Sequence, residues 1–187
     1  MSIIKRRRTR VIRIGTVSIG GRNPVAIQSM VKYKTSEVDS VVRQIRKLQR
    51  CGCEIGRLAI KDSADAEAIK RIKQQVSVPL VADIHFSWRL ALEAIENGVD
   101  KIRLNPGNIS HQVHVRQVVQ AAKSRHIHIR IGLNSGSLPA IRTKAKTPAE
   151  RMVTAALDYI KLLERFGFFD IVVSLKASNI QDRKSVV

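Results

Sequence analysis

The sequence predicts an α/β fold on a parallel β-sheet, and three observations carry that prediction. Short runs rich in Val and Ile recur six times, and amphipathic helical patterns separate them. Successive runs begin roughly 20 to 40 residues apart, which is crossover spacing and too long for hairpins. The runs are also almost continuously apolar, as strands buried on both faces must be.

Taken in order, residues 10–23 (RVIRIGTVSIGGRN) alternate and turn around glycines, which predicts a β-hairpin capping a barrel. Strands are expected over 25–30 (VAIQSM), 54–60 (EIGRLAI), 80–86 (LVADIHF), 101–105 (KIRLN), 128–134 (HIRIGLN) and 170–176 (DIVVSLK). Helices are expected over 36–50, 63–75, 88–97, 112–124 and 148–166. Ser36-x-x-Asp39 and Thr147-Pro148-Ala149-Glu150 read as capping boxes, the second with proline where its missing N–H is harmless. Gly98 and Gly167 stand where a helix stops before the next strand. Residues 1–10 form a basic leader and 11–187 one domain; no linker or repeat divides it.

Strand parity then locates a site. Arg103 and Asn105 share a face, as do Asp83 with His85, Arg130 with Asn134, and Ser174 with Lys176; Arg57 lies in the second run. All sit in the middle or C-terminal part of their strands. Five consecutive strands contributing this way favour a TIM-type (β/α)8 barrel, incomplete here at six βα units, over a sheet with a single ligand crevice. Arg57, Arg103, Arg130 and Lys176 are expected to converge on one cavity, where repulsion and desolvation require an anionic ligand. A diphosphate is the natural complement, since guanidinium forks grip phosphate oxygens in pairs. Asn105 and Asn134 can satisfy hydroxyl groups, and Asp83 with His85 can handle a proton or orient the ligand. The Asn-Pro-Gly-Asn turn at 105–108 is expected to present backbone N–H groups to the mouth.

Composition excludes several classes. At 187 residues and 44% hydrophobic content the chain is expected to bury a core. No apolar run reaches bilayer length and the leader has no apolar segment after its basic residues, so a cytoplasmic protein without a membrane partner is expected. The charge of +19 is uneven, with +11 over residues 1–50, −2 over 51–100 and +8 over 101–150. That balance attracts anions without choosing between nucleic acid and phosphorylated small molecules. Four Phe, two Tyr and one Trp make no stacking platform, and KRRRTR reads as a solvated arm, so no specific nucleic-acid partner is expected. Cys51 and Cys53 are too few for a zinc or iron–sulfur site and read as small buried residues at a helix-to-strand junction, so no metal ligand is assigned. His111, His114, His126 and His128 read as ordinary histidines away from the mouth.

The segments VAIQSM, VPLVADIHF, GVDKIRLNPGNI, IRIGLNSGSL and VVSLKAS closely resemble, in this order and spacing, the N-terminal barrel of the 4-hydroxy-3-methylbut-2-enyl diphosphate synthase family, from about residue 8 to 180. The resemblance implies an oxidoreductase of the non-mevalonate isoprenoid pathway that reductively opens 2-C-methyl-D-erythritol 2,4-cyclodiphosphate. It implies electrons from ferredoxin or flavodoxin through a [4Fe-4S] cluster, and a homodimer at full length. The family's diphosphate-gripping residues match Arg57, Arg103, Arg130 and Lys176, with Asn105, Asn134, Asp83 and His85 beside them. The cluster ligands belong to a C-terminal domain, so the chain is expected to be a fragment: it lacks that domain and the last two barrel strands, is inactive alone, and leaves two apolar strand edges open to association. Gly56, Lys61 and the loop MVKYKT depart from the family's usual residues. The alternatives are another phosphate-ligand barrel enzyme of pterin-binding synthase type, or a basic nucleic-acid-binding protein.

Overall fold

The computed structural model describes residues 9–135 and 147–177, so most of the basic leader and the segment QDRKSVV lie outside the described residues. A two-stranded antiparallel hairpin, β1 (Ile12–Ile14) and β2 (Val17–Ile19), comes first, as its alternation predicts. Six parallel strands follow: β3 (Gln28–Met30), β4 (Ile55–Ile60), β5 (Leu80–Ile84), β6 (Lys101–Leu104), β7 (His128–Asn134) and β8 (Ile171–Lys176). They pair in sequence order, β3-β4-β5-β6-β7-β8, with helices α1 (Val38–Arg50), α2 (Ser63–Lys73), α3 (Trp88–Glu96), α4 (Gln112–Ser124) and α5 (Pro148–Arg165) between them. An order that never reverses has no switch crevice; it is the singly wound half of a barrel.

Parity divides the sheet into two faces. Leu58 and Ile60 of β4, Ile84 of β5, Ile102 and Leu104 of β6 and Ile131 of β7 are fully buried under the helices, in one core with Val41, Ile69, Ala94 and Val118. Each side chain taken from water there contributes about 1.5–3 kcal/mol. On the inner face the hairpin closes the floor, where Ile14 packs with Ile55 and Val81. Gly15 makes its turn at φ +53 against Pro79, a conformation and an approach that leave no room for a side chain. The polar inner residues lie above this floor.

The predicted element ends are partly realised. Thr147 and Glu150 form the reciprocal capping box, with bonds of 3.1 and 3.2 Å, and Gly98 and Gly167 end their helices at φ +85 and +67. The Ser36–Asp39 box does not form. Glu37 stands at the N-cap of α1 without a side-chain bond, because the backbone N–H of Ser36 donates instead to the buried carboxylate of Asp65, 2.9 Å away. That carboxylate also accepts from Lys61 N–H at 3.2 Å, fastening the loop after β3 to the start of α2. Strand β3 begins at Gln28, not at residue 25, and pairs with β4 over three residues only. The Tyr159 hydroxyl donates to the carbonyl of Ile109 at 2.7 Å, fixing the loop that follows β6 from beneath, and burial pushes its pKa up. No helix among the described residues is long and apolar enough to cross a membrane.

Among the described strands, β3 and β8 each pair on one side only, and Met30 and Val173 on them are exposed. Unpaired strand edges template association. The 187-residue chain is therefore expected to self-associate as salt screens its +19 charge. Size-exclusion chromatography at rising ionic strength checks this; a monodisperse monomer throughout would show the edges to be covered.

Candidate anion-binding site

The inner face of the sheet carries two rows of polar residues. Asp83, Arg103 and Arg130 are direct neighbours in register across β5, β6 and β7. One row nearer the floor, Arg57, Val81, Lys101 and His128 are likewise in register. Parallel pairing without stagger between these strands is what brings residues so far apart in sequence to one place.

Asp83 is the centre. One carboxylate oxygen accepts from Arg57 Nη2 at 2.7 Å and the other from Arg103 Nη1 at 3.0 Å, with the carboxylate 5% exposed. Arg103, itself buried, donates its second terminal nitrogen to the carbonyl of Gly132 at 2.7 Å. The missing side chain of Gly132 makes room for that guanidinium: a Cβ there would overlap Arg103 Nε. Arg130 is held from β8, donating to Ser174 Oγ at 2.7 Å. His85 stands with Nε2 3.7 Å from Asp83, outside hydrogen-bond range.

Charge does not balance in this cluster. Among the described residues Asp83 is the one carboxylate bonded to it, against three guanidiniums and the ammonium of Lys101, itself a buried residue. Burial, then Arg57 and Arg103, lower the pKa of Arg130; burial, then Arg130 and Arg57, push Lys101 down to about 8. Arg57 Nε, Arg130 Nε and His85 Nε2 are buried without a hydrogen-bond partner among the described residues. Buried donors that face like charge and lack acceptors are suited to an anion with several oxygens.

The remaining predicted residues are distributed differently. Asn105 is buried at the end of β6, but its Oδ1 accepts from Gly107 N–H at 3.1 Å, while Asn108 and Ile109 N–H groups turn back to its carbonyl. The Asn-Pro-Gly-Asn turn thus spends these N–H groups on itself and does not present them to the mouth, correcting that expectation; Asn108 Nδ2 donates to the carbonyl of His85. Asn134 and Lys176 face each other across β7 and β8, exposed, and neither bonds to the Asp83 cluster. Gly56 points outward toward Leu80 and Ile45, so its departure from the family pattern touches the helix layer and not the site.

Lys101 and His128 were not among the expected inner residues. Their parity with Arg103 and Arg130 was the available signal, masked by their position at strand starts, where side chains commonly reach solvent. His111 and His114 stand at the start of α4, where His114 stacks on Trp88 at 4.7 Å, and neither bonds to the Asp83 cluster. Cys53 is buried and its thiol donates to the carbonyl of Ile55 at 3.3 Å, whereas Cys51 is exposed, at odds with the reading of both as buried.

A family model described as GcpE TIM-barrel domain matches residues 9–186. The chain belongs to this family. This GcpE barrel is 50% identical over 177 residues to 4-hydroxy-3-methylbut-2-en-1-yl diphosphate synthase (flavodoxin) of Fusobacterium nucleatum, covering 94% of this chain and 50% of that protein. It is 53% identical over 181 residues to the protein of the same name from Geobacillus thermodenitrificans, covering 96% and 48%. The chain therefore spans about half the length of the curated relatives it matches. Among solved structures it resembles a dihydropteroate synthase of Xanthomonas albilineans, with a TM-score of 0.66 at 11% identity over 93% of this chain and 70% of that one. It also resembles a 3-dehydroquinate dehydratase of Geobacillus kaustophilus, with a TM-score of 0.62 at 14% identity over 94% and 71%. These likenesses show the barrel fold alone.

The iron–sulfur cluster implied by the sequence resemblance does not fit the residues described. The two cysteines precede β4 at the floor end, one of them bonded into the backbone, and no group of three or more His, Cys, Asp or Glu among the described residues could hold a metal.

Proposed function

We propose that this GcpE barrel binds the diphosphate of 2-C-methyl-D-erythritol 2,4-cyclodiphosphate and is the substrate-holding part of an enzyme that reductively opens that ring to 4-hydroxy-3-methylbut-2-enyl diphosphate. The observation that carries the reading is the uncompensated cluster of Arg57, Arg103 and Arg130 around Asp83, with two guanidinium Nε atoms lacking acceptors. The relatives' names support it.

In this reading Asp83 orients the Arg57 and Arg103 forks, and Arg130 closes the third side, so that phosphoryl oxygens meet donors already in place. His85 stands ready to exchange a proton or a hydrogen bond with the ligand. Asn105, Asn134 and Lys176 flank the mouth, the last two engaging the ligand's outer end. Flavodoxin, as in the relatives' names, or ferredoxin would supply electrons to an intact cytoplasmic homodimer, whose [4Fe-4S] cluster would be held by residues other than those described here. The pterin-binding alternative rests on shared fold alone, and no observation favours it.

Calorimetric titration with the cyclodiphosphate, and with inorganic pyrophosphate as the simpler probe, tests the reading. Arg103→Lys keeps the charge but loses the fork; Arg103→Met loses both. Each is expected to weaken binding by about 1–3 kcal/mol, Met more than Lys. Equal affinity in all three proteins would remove Arg103 from the site.

A further inference from the structure

One row below Arg103 and Arg130, level with Arg57, lies a cation that the diphosphate reading leaves unused. Lys101 opens β6 two residues before Arg103 and so points to the same inner face, yet it is only 3% exposed. Among the described residues no carboxylate and no hydrogen-bond acceptor partners its ammonium. The groups facing it are Arg57 from β4, Asp83 and His85 from β5, Arg103 on its own strand, and His128 and Arg130 from β7; the hairpin beneath presents apolar Ile14. Asp83 already accepts from two arginines, and Asp170, just before β8, bears on His128. Beside Lys101, burial first lowers the pKa of His128, whose Nδ1 has no partner among the described residues. An ammonium enclosed this way is costly unless something negative reaches it.

We propose that Lys101 is the innermost cation of the anion site, donating from the barrel floor to the ligand oxygen that penetrates deepest, and that anion capture by this barrel is thereby coupled to the charge of Lys101. This rests on the diphosphate reading and adds to it a residue and a pH dependence. Burial, then Arg130 and Arg57, hold Lys101 at about 8. A bound anion restores it toward the ordinary lysine range. The charged form binds, so affinity is full below pH 8 and falls as the pH rises through that value, and binding above pH 8 takes up a proton.

The test uses sulfate, whose own charge is constant over the range, titrated calorimetrically into the chain from pH 7 to 9.5. For the unaltered chain the Kd is expected to rise at least about tenfold across that range, with proton uptake seen as a buffer-dependent heat. Lys101→Met is expected to bind about tenfold more weakly at pH 7 and to show a flat profile. Lys101→Arg is expected to stay flat and to retain affinity at pH 9.5, because its charge does not titrate. Lys101→Met should melt no lower than the parent, since it removes a buried unpaired charge, so loss of binding cannot be ascribed to unfolding. Sulfate binding abolished by Arg103→Met but identical in parent and Lys101→Met at every pH would overturn the Lys101 assignment and leave the arginine site standing. No binding to the parent, or binding indifferent to Arg103→Met, would overturn both.

Discussion

Asp83→Ala is expected to destabilise the chain by about 3–5 kcal/mol, the usual consequence of stripping the counter-charge from a buried ion pair. Asp83 accepts from Arg57 at 2.7 Å and from Arg103 at 3.0 Å, and Arg130 and Lys101 crowd the same space. Without the carboxylate these cations repel one another in a partly dehydrated cavity. The loss has a second signature: an anion that occupies the cluster replaces the missing charge, so pyrophosphate should raise the melting temperature of Asp83→Ala more than that of the parent. Asp83→Asn should fall between the two, because an amide oxygen still accepts one bond but brings no charge. Thermal melts at low ionic strength, in buffer free of phosphate and sulfate, decide this. A variant that melts with the parent and ignores pyrophosphate would mean that Asp83 is not what holds the arginines together.

Gly132→Ala should abolish most anion affinity while sparing the fold, with a loss of about 2 kcal/mol or more. Gly132 pairs with Ser174 in the β7–β8 ladder and is not at positive φ, so the backbone tolerates alanine. The added Cβ meets the Arg103 guanidinium, whose Cζ lies 3.1 Å from its position. Arg103 cannot swing aside cheaply, because one end of its fork is bound to Asp83 and the other to the Gly132 carbonyl. The substitution therefore acts through Arg103, and a double-mutant cycle reveals it: in an Arg103→Met background, Gly132→Ala should cause no further loss. Additive losses in pyrophosphate binding would show that the glycine matters for another reason.

Arg103, Asp83 and Arg130 were legible from alternation because an apolar strand buried on both faces has no other reason to place a charge in mid-strand with a second polar residue on the same face. Thr147 and Glu150 were legible because a capping box is closed within four residues. Ser36 was misread since its N–H is taken by Asp65, twenty-nine positions away, and nothing local announces that competition. The Asn-Pro-Gly-Asn turn was correctly placed, yet the direction of its N–H groups depends on Asn105 turning its own side chain and carbonyl inward on the turn.

Local period and cap chemistry, which act over four to seven residues, thus determined from the sequence by itself the α/β class, the parallel order of six strands after a hairpin, and the inner face carrying Arg57, Asp83, Arg103 and Arg130. Only the tertiary structure decided which of those groups touch. Register across β4 to β7 makes Asp83 the shared acceptor and leaves Asn134 and Lys176 at the exposed rim. The hairpin's seal over Ile55 and Val81 turns Lys101 from a strand-end lysine into a buried cation. The physical reason is that burial and pairing of charge depend on what lies across the barrel, and those neighbours are tens of residues away in the chain.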